Sequence, residues 1–331
     1  MHQRQLGPTS PRALTTSAIG LGCMGLSQGY GPTDDAESIK VIQHAVDLGV
    51  TMLDTAMSYG QGHNEQLLAR ALNSVDRDGV VLASKFGIVR DEDGVHVDGR
   101  PEHVRGYCNA SLSRLGVDFL DLYYLHRVDP DVPIVETVSA MAELVEEGKV
   151  RHLGLSEVTV DQLAQAAAVH PIAAVQFEWS LLWREPEIDI VPAARRLGAG
   201  LVPYSPLGRG LLTATLSAHD IDTSDFRRAD ARFHGEHLSA NLAQIDALRQ
   251  IADQLQITPG QLALAWLLAQ GPDVVPIPGS RRSERVAENT RAADVVLDPV
   301  QLARIDELAP RASWSGDRQS FAVPNTARAL R

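Results

Sequence analysis

Along the chain, short and nearly continuous apolar runs alternate with longer stretches whose apolar residues recur every three or four positions. The short runs are AIGLGCMG (18–25), TMLDTA (51–56), VVLASKFG (80–87), FLDLYYLH (119–126), RHLGLSE (151–157), AAVQFEWS (173–180), GLVPYSPL (200–207) and VVPIPGS (274–280). Each predicts a strand buried on both faces, as in a parallel sheet covered by helices. The stretches between them carry helix punctuation. Ile39, Ile42 and Val46 share one face, with Gly49 where a helix should end. A second helix opens at Pro101, aligns Val104, Cys108, Leu112 and Leu115, and stops at Gly116. A third takes Thr258 as N-cap, Pro259 at its first position and Gly271 beyond its end. No repeat or Ser/Gly-rich linker marks a boundary, so 1–331 reads as one α/β domain. A (β/α)8 TIM barrel and a doubly wound open sheet both satisfy this pattern.

Two connections are long. One, 88–100, is rich in charge and glycine; the other, 208–238, carries Arg209, Arg227, Arg228 and Arg232. The second either closes over a phosphate-bearing ligand or is a solvated loop. Gly20-Leu21-Gly22-Cys23-Met24-Gly25 matches the dinucleotide fingerprint GxGxxG. That fingerprint needs a helix at once after the strand, whereas Gly29, Gly31 and Pro32 delay any helix to about Asp34. The six residues therefore read as a glycine-rich strand end.

Composition narrows the classes further. A net charge of −12 disfavours nucleic acid or an anionic membrane surface as the main partner. No uninterrupted apolar stretch is long enough to span a membrane, and the N-terminus lacks the apolar core of a signal peptide. Cys23 and Cys108 stand far apart without metal or disulfide spacing, which fits a reducing, cytoplasmic setting.

Candidate chemistry lies at strand ends. Asp54 ends the second run with Tyr59 just beyond it, Lys85 ends the third and His126 closes the fourth. In a closed parallel barrel these ends open on one face, so the four converge. Singly, a strand-end Asp is usually a cap and a lone His usually structural. A lysine inside VVLASKFG is different, because lysine is rarely buried unpaired, and Asp54 is its natural partner. The ammonium should lower the Tyr59 phenol pKa and fit it for proton donation. His126 can orient a carbonyl. Such a group suits carbonyl reduction, with a proton to oxygen and a hydride to carbon from a nicotinamide or flavin.

The ordered motifs LDTAMSYG (53–60), SKFG (84–87), LYYLHR (122–127), GLSE (154–157), QFEWSLL (176–182), PYSPLGRGLL (203–212) and PIPGSRRSERVAEN (276–289) resemble the aldo-keto reductase superfamily. The branch resembled is that of bacterial and plant aldehyde and ketone reductases, and the likeness runs from about Gly20 to Asn289. It implies a catalytic tetrad of Asp54, Tyr59, Lys85 and His126, with Tyr59 as general acid. It implies that Gly22, Met24 and Asp54 border the cofactor, that Ser156 and Gln176 bind the nicotinamide carboxamide, and that Trp179 stacks on the ring. Glu157 replaces the Asn common elsewhere, and a carboxylate cannot donate to the carboxamide oxygen. Tyr204, Ser205, Pro206, Leu207, Gly208, Arg209 and Gly210 should cradle the pyrophosphate. Ser280, Arg281, Arg282 and Arg285 should hold a 2′-phosphate on a short helix capped by Ser283, hence NADPH, with Glu288 and Asn289 at the adenine. Gly279 stands where other branches carry a phosphate-binding Lys. Trp314 to Gln319 resembles a G-x-R-Y element with Gln for Tyr.

Three functions compete: NADPH-dependent reduction of small aldehydes or ketones, an NADPH-binding regulatory or redox-sensing subunit on the same barrel, and a metal-dependent barrel hydrolase. The last wants a His-x-His on an early strand, which AIGLGCMG does not offer.

Overall fold

In the computed structural model, which describes residues 1–8, 13–73, 75–92, 94–216 and 221–318, the apolar runs become the staves of a barrel. An antiparallel hairpin, β1 (Gln3–Leu6) and β2 (Leu14–Ser17), comes first. The parallel strands β3 (Leu21–Gly22), β4 (Met52–Asp54) and β5 (Val81–Phe86) follow. A second hairpin, β6 (Ile88–Asp91) with β7 (Gly94–Val97), is inserted before β8 (Leu120–Leu125). The barrel continues through β9 (Val150–Ser156), β10 (Ile172–Glu178) and β11 (Gly200–Tyr204). In space the order is β3-β4-β5-β8-β9-β10-β11, all parallel.

The eighth run closes the ring without being a regular strand. Val275 N–H bonds to Leu201 C=O at 2.8 Å and Ile277 N–H to Pro203 C=O at 3.0 Å. On the other side the Pro276 and Pro278 carbonyls accept from Gly20 and Gly22, at 3.0 and 3.3 Å. Proline has no N–H, so this segment can only accept toward β3. The glycines of the strand-end motif belong to this seam. A Cβ on Gly22 would lie 2.7 Å from the Ile277 carbonyl oxygen, and one on Gly20 2.9 Å from the Ile277 side chain.

Alternation along the strands separates two apolar layers. Met52, Ala83, Leu122, Tyr124, Val202 and Ile277 fill the barrel interior, with Leu6 and Leu14 of the first hairpin packed against them. Leu53, Leu82, Tyr123, Val175, Phe177 and Leu201 face outward to the helices. Those helices are α1 (Asp35–Asp47), α2 (His63–Leu72), α3 (Pro101–Leu115), α4 (Ile134–Glu146), α5 (Val160–Val169) and α6 (Ile190–Arg196), then α7 (Gly235–Gln254), α8 (Pro259–Ala269), α9 (Ser283–Arg291) and α10 (Pro299–Leu308). Asp34 caps α1, the left-handed Gly116 ends α3, and a Thr258–Gln261 capping box opens α8. Among the described residues, no helix is long and apolar enough to cross a membrane.

Three expectations need correction. The connection 88–100 is largely the β6–β7 hairpin. Among the described residues, 208–238 carry three short 3-10 turns, at Gly208–Thr213, Phe226–Ala229 and Ala231–Phe233, and the first residues of α7. Ser283 does not cap α9 but is its first residue. The cap position is Arg282, whose N–H bonds to the Ser280 hydroxyl at 3.1 Å.

Candidate active site

Asp54, Lys85 and His126 lie two residues beyond the interior positions Met52, Ala83 and Tyr124, so all three side chains enter the barrel at its C-terminal mouth. Tyr59 arrives from the loop between β4 and α2. The Met57 N–H bonds to Lys85 C=O at 3.0 Å, and the Gly60 N–H to the Gln28 side chain at 2.8 Å. Gly60 (φ 56°) and Gly62 (φ 92°) take the left-handed turns that bring the loop back into α2. Thr55 donates to Asn64 at 2.6 Å, and Asn64 donates to the Cys23 carbonyl at 2.9 Å, which pins the loop from behind.

Lys85 Nζ is fully buried and makes three contacts: Asp54 Oδ1 at 2.5 Å, the Thr55 carbonyl at 2.8 Å and the Tyr59 hydroxyl at 3.1 Å. Gln176 donates to the other Asp54 oxygen at 2.8 Å. The Tyr59 and His126 rings meet edge to face at 5.7 Å, with Ser58 Oγ 3.5 Å from His126 Nδ1. The sequence motif thus becomes a compact acid–base cluster.

The electrostatics differ from expectation at Tyr59. Burial pushes its phenol up, Lys85 pulls it down and Asp54 pushes it up again; the net direction is upward. The predicted lowering fails because burial, the largest influence, together with Asp54 outweighs the Lys85 cation. Lys85 is held above its ordinary range, since Asp54 and Tyr59 together outweigh burial. His126 is driven well below its ordinary value by burial and by the Arg127 and Lys85 cations, so it is neutral at physiological pH.

The cofactor positions divide into three groups. Ser156, Gln176 and Tyr204 lie at the ends of β9, β10 and β11, on the same mouth. Gly22 and Met24 border it from β3 and the turn that follows. Trp179 is corrected: it is 1% exposed in the outer layer, edge-on to Trp266, with its indole N–H donating to Glu187 at 3.0 Å. One residue past the inward Glu178, its side chain must point outward. A partly exposed aromatic ring at the mouth is that of Tyr204, packed on the interior cluster.

The mid-chain arginines do not wait for a phosphate. Arg209 pairs with Glu178 at 3.2 Å, Arg232 with Asp230 and Glu178 at 2.7 and 2.8 Å, and Arg227 with Asp225 at 2.6 Å. Of the cradle expected over Tyr204, Ser205, Pro206, Leu207, Gly208, Arg209 and Gly210, the Arg209 guanidinium is thus already engaged. Gly208 and Gly210 both adopt positive φ there. After the eighth run, Ser280, Arg281 and Arg285 gather at the start of α9. Arg281 is exposed and donates to the Pro32 carbonyl at 2.9 Å. Arg285 pairs with Glu288, which also accepts from Thr258 at 2.7 Å, and Asn289 is buried beside them.

Two functional candidates escaped the sequence reading. Arg127, buried beside His126, donates to the His126 carbonyl and to Ser156 Oγ at 2.6 and 3.1 Å. Its place directly after His126 in LYYLHR was the available signal. Arg318, in the tail element, reaches Glu157 and Tyr204. Gln319 lies outside the described residues.

Comparison with known proteins bears on the family and the fold. Residues 18–310 match the Aldo/keto reductase family. A probable aldo-keto reductase 1 from Glycine max is 43% identical over 322 residues, 96% of this chain and 93% of the relative. A glycerol dehydrogenase from Gluconobacter oxydans superposes with a TM-score of 0.84 at 28% identity, covering 97% of this chain and 99% of that one. An aldo-keto reductase from Bacillus halodurans, solved in its holo form, gives 0.77 at 27% identity, with 94% and 97% covered. The chain belongs to the aldo/keto reductase family, as an NAD(P)H-dependent oxidoreductase acting on carbonyl groups on a (β/α)8 barrel.

Proposed function

We propose that the protein reduces small aldehydes or ketones to alcohols with NADPH, with Tyr59 as the general acid. The observation that carries this reading is the Tyr59 hydroxyl 3.1 Å from a buried Lys85 ammonium and edge-on to a neutral His126. A phenol kept protonated by burial is ready to give its proton to a developing alkoxide. Lys85 favours the phenolate left behind, and Asp54 keeps Lys85 charged. Neutral His126 retains one ring N–H, which can donate to the carbonyl oxygen and fix its direction.

The donor set fits a nicotinamide dinucleotide phosphate. Ser156 and Gln176 offer polar groups beside the acid–base cluster, Tyr204 offers a flat partly exposed ring, and exposed Arg281 and Arg282 stand at the start of α9. Bound there, NADPH supplies the hydride. Arg281, with Ser280 and Arg285, would hold the 2′-phosphate, with Glu288 and Asn289 beside the adenine. Every site residue comes from one barrel, which supports a single domain. The free, buried Cys23 and Cys108 support a cytoplasmic setting.

The reading is tested by steady-state oxidation of NADPH and NADH with a panel of simple carbonyl compounds. Turnover with NADPH supports it. Bound NADPH that is never turned over would favour the regulatory alternative. By direct titration of each cofactor, Arg281→Ala is expected to raise the Kd for NADPH about tenfold and leave that for NADH nearly unchanged, the size of one lost charge-assisted contact. Equal losses for both would remove the 2′-phosphate assignment.

A further inference from the structure

Glu157 occupies a position that should touch the nicotinamide carboxamide, yet its carboxylate is already engaged. It follows β9 with φ 55°, which turns its side chain into the mouth. Oε1 accepts from the Glu178 N–H at 3.1 Å and from the Tyr204 hydroxyl at 2.9 Å, and Oε2 accepts from Arg318 Nη1 at 3.0 Å. Arg318 Nη2 donates to the same Tyr204 hydroxyl at 2.6 Å. Its Nε lies 2.9 Å from Glu178 Oε2, close enough to pair but not aligned as a hydrogen bond. The guanidinium side chain is only 8% exposed, so a tail residue is sunk among strand-end groups.

The tail has a separate seat. Asn241 of α7 accepts from the Ser315 N–H at 2.8 Å and donates to the Ser315 carbonyl at 2.9 Å. Gly316, at φ 90°, passes so close to Arg232 that a Cβ would lie 2.9 Å from its backbone nitrogen. The segment is thus docked without Arg318, and stapling the tail does not explain why this side chain reaches inward. What it does at its inner end is chemical. It neutralises a buried carboxylate that would otherwise stand unpaired, and it fixes the Tyr204 hydroxyl from a second side.

We propose that Arg318 is a positioning residue for the nicotinamide half of the cofactor site: with Glu157 it locks the Tyr204 ring as the flat wall against which the ring is received. The proposal rests on the cofactor reading above. It gives the buried Glu157 carboxylate a role. The carboxylate serves Tyr204 and Arg318, and Ser156 and Gln176 are left to meet the carboxamide.

The test compares two ligands by titrating intrinsic fluorescence or by calorimetry: NADPH, and 2′-phospho-ADP-ribose, which keeps the phosphate anchors but lacks the nicotinamide. Arg318→Ala is expected to weaken NADPH by about tenfold or more while the fragment stays within about twofold, one charge-assisted contact being lost at the ring end only. Arg318→Lys should recover only part, since a point ammonium cannot serve Glu157 and Tyr204 together. Should Arg318→Ala fold poorly, Tyr204→Phe removes only the locked hydroxyl and is expected to give the same split. Equal weakening of both ligands, or unchanged NADPH binding in Arg318→Ala and Tyr204→Phe, overturns the proposal. Wild-type protein that binds neither ligand would instead overturn the cofactor reading beneath it.

Discussion

Tyr59 sits between charges of opposite sign, and its protonation state follows from their order of strength. Burial and Asp54 raise the phenol, Lys85 lowers it, and the sum is a group above its ordinary pKa of about 10. His126, neutral through burial, adds no titration near its ordinary value of about 6.5. The kcat for reduction at saturating cofactor is therefore expected to be flat from about pH 6 to 9, with an alkaline limb beyond that. Lys85→Met removes the cation that lowers the phenol, so its residual activity should show that limb at higher pH; a limb that stayed or fell would contradict the account. The lysine was legible because a cation in an apolar strand demands a partner. The direction at Tyr59 was not, because the depth of its burial, which raises the phenol most, appears only in the fold, and Asp54 adds to it. Trp179 was misplaced for a simpler reason: alternation from Gln176 and Glu178 already sends it outward.

At the scale of elements, the strands were legible because each is a buried run of β-branched and aliphatic residues ended by glycine or a polar site residue. The hairpins β1–β2 and β6–β7 were not, since each strand is only four residues long, too short for its alternation to stand out. The GxG pair had a definite meaning that only closure supplies: Gly20 and Gly22 let the Pro276–Pro278 segment approach. Gly22→Ala is expected to cost about 1–3 kcal/mol, because the Cβ meets backbone that cannot give. Gly106, inside α3 with open space around its missing Cβ, is the contrast: Gly106→Ala should stabilise by about 0.5–1 kcal/mol. Urea midpoints of the two variants measure both. A neutral Gly22→Ala would contradict the tight seam.

At the scale of the molecule, the mouth is held by buried carboxylates ringed with arginine. Arg318 and Arg127 hold Glu157 below its ordinary range against burial, and Arg232, Arg209 and Arg318 do so more strongly for Glu178. A depressed carboxylate stabilises the fold above its unfolded pKa, about 4.3 for Glu, and that contribution is lost as pH falls toward the folded value. Stability should be level above about pH 7 and fall below it, first because the unfolded chain protonates His126 while the fold keeps it neutral. Below roughly pH 4 to 5 it falls further as these carboxylates protonate, the acid limb being gentler in Glu178→Gln. Equal urea midpoints at neutral and strongly acid pH would refute it. The same network kept the mouth from being fully legible, since Arg209, Arg232 and Arg318 find Glu157 and Glu178 only once distant segments meet. The most direct measurement of the whole account is Tyr59→Phe, assayed in parallel for NADPH binding and single-turnover carbonyl reduction. Binding within about twofold of wild type with reduction slowed by about 10²-fold or more is expected of a lost general acid. Reduction at near wild-type rate would show that the proton comes from elsewhere.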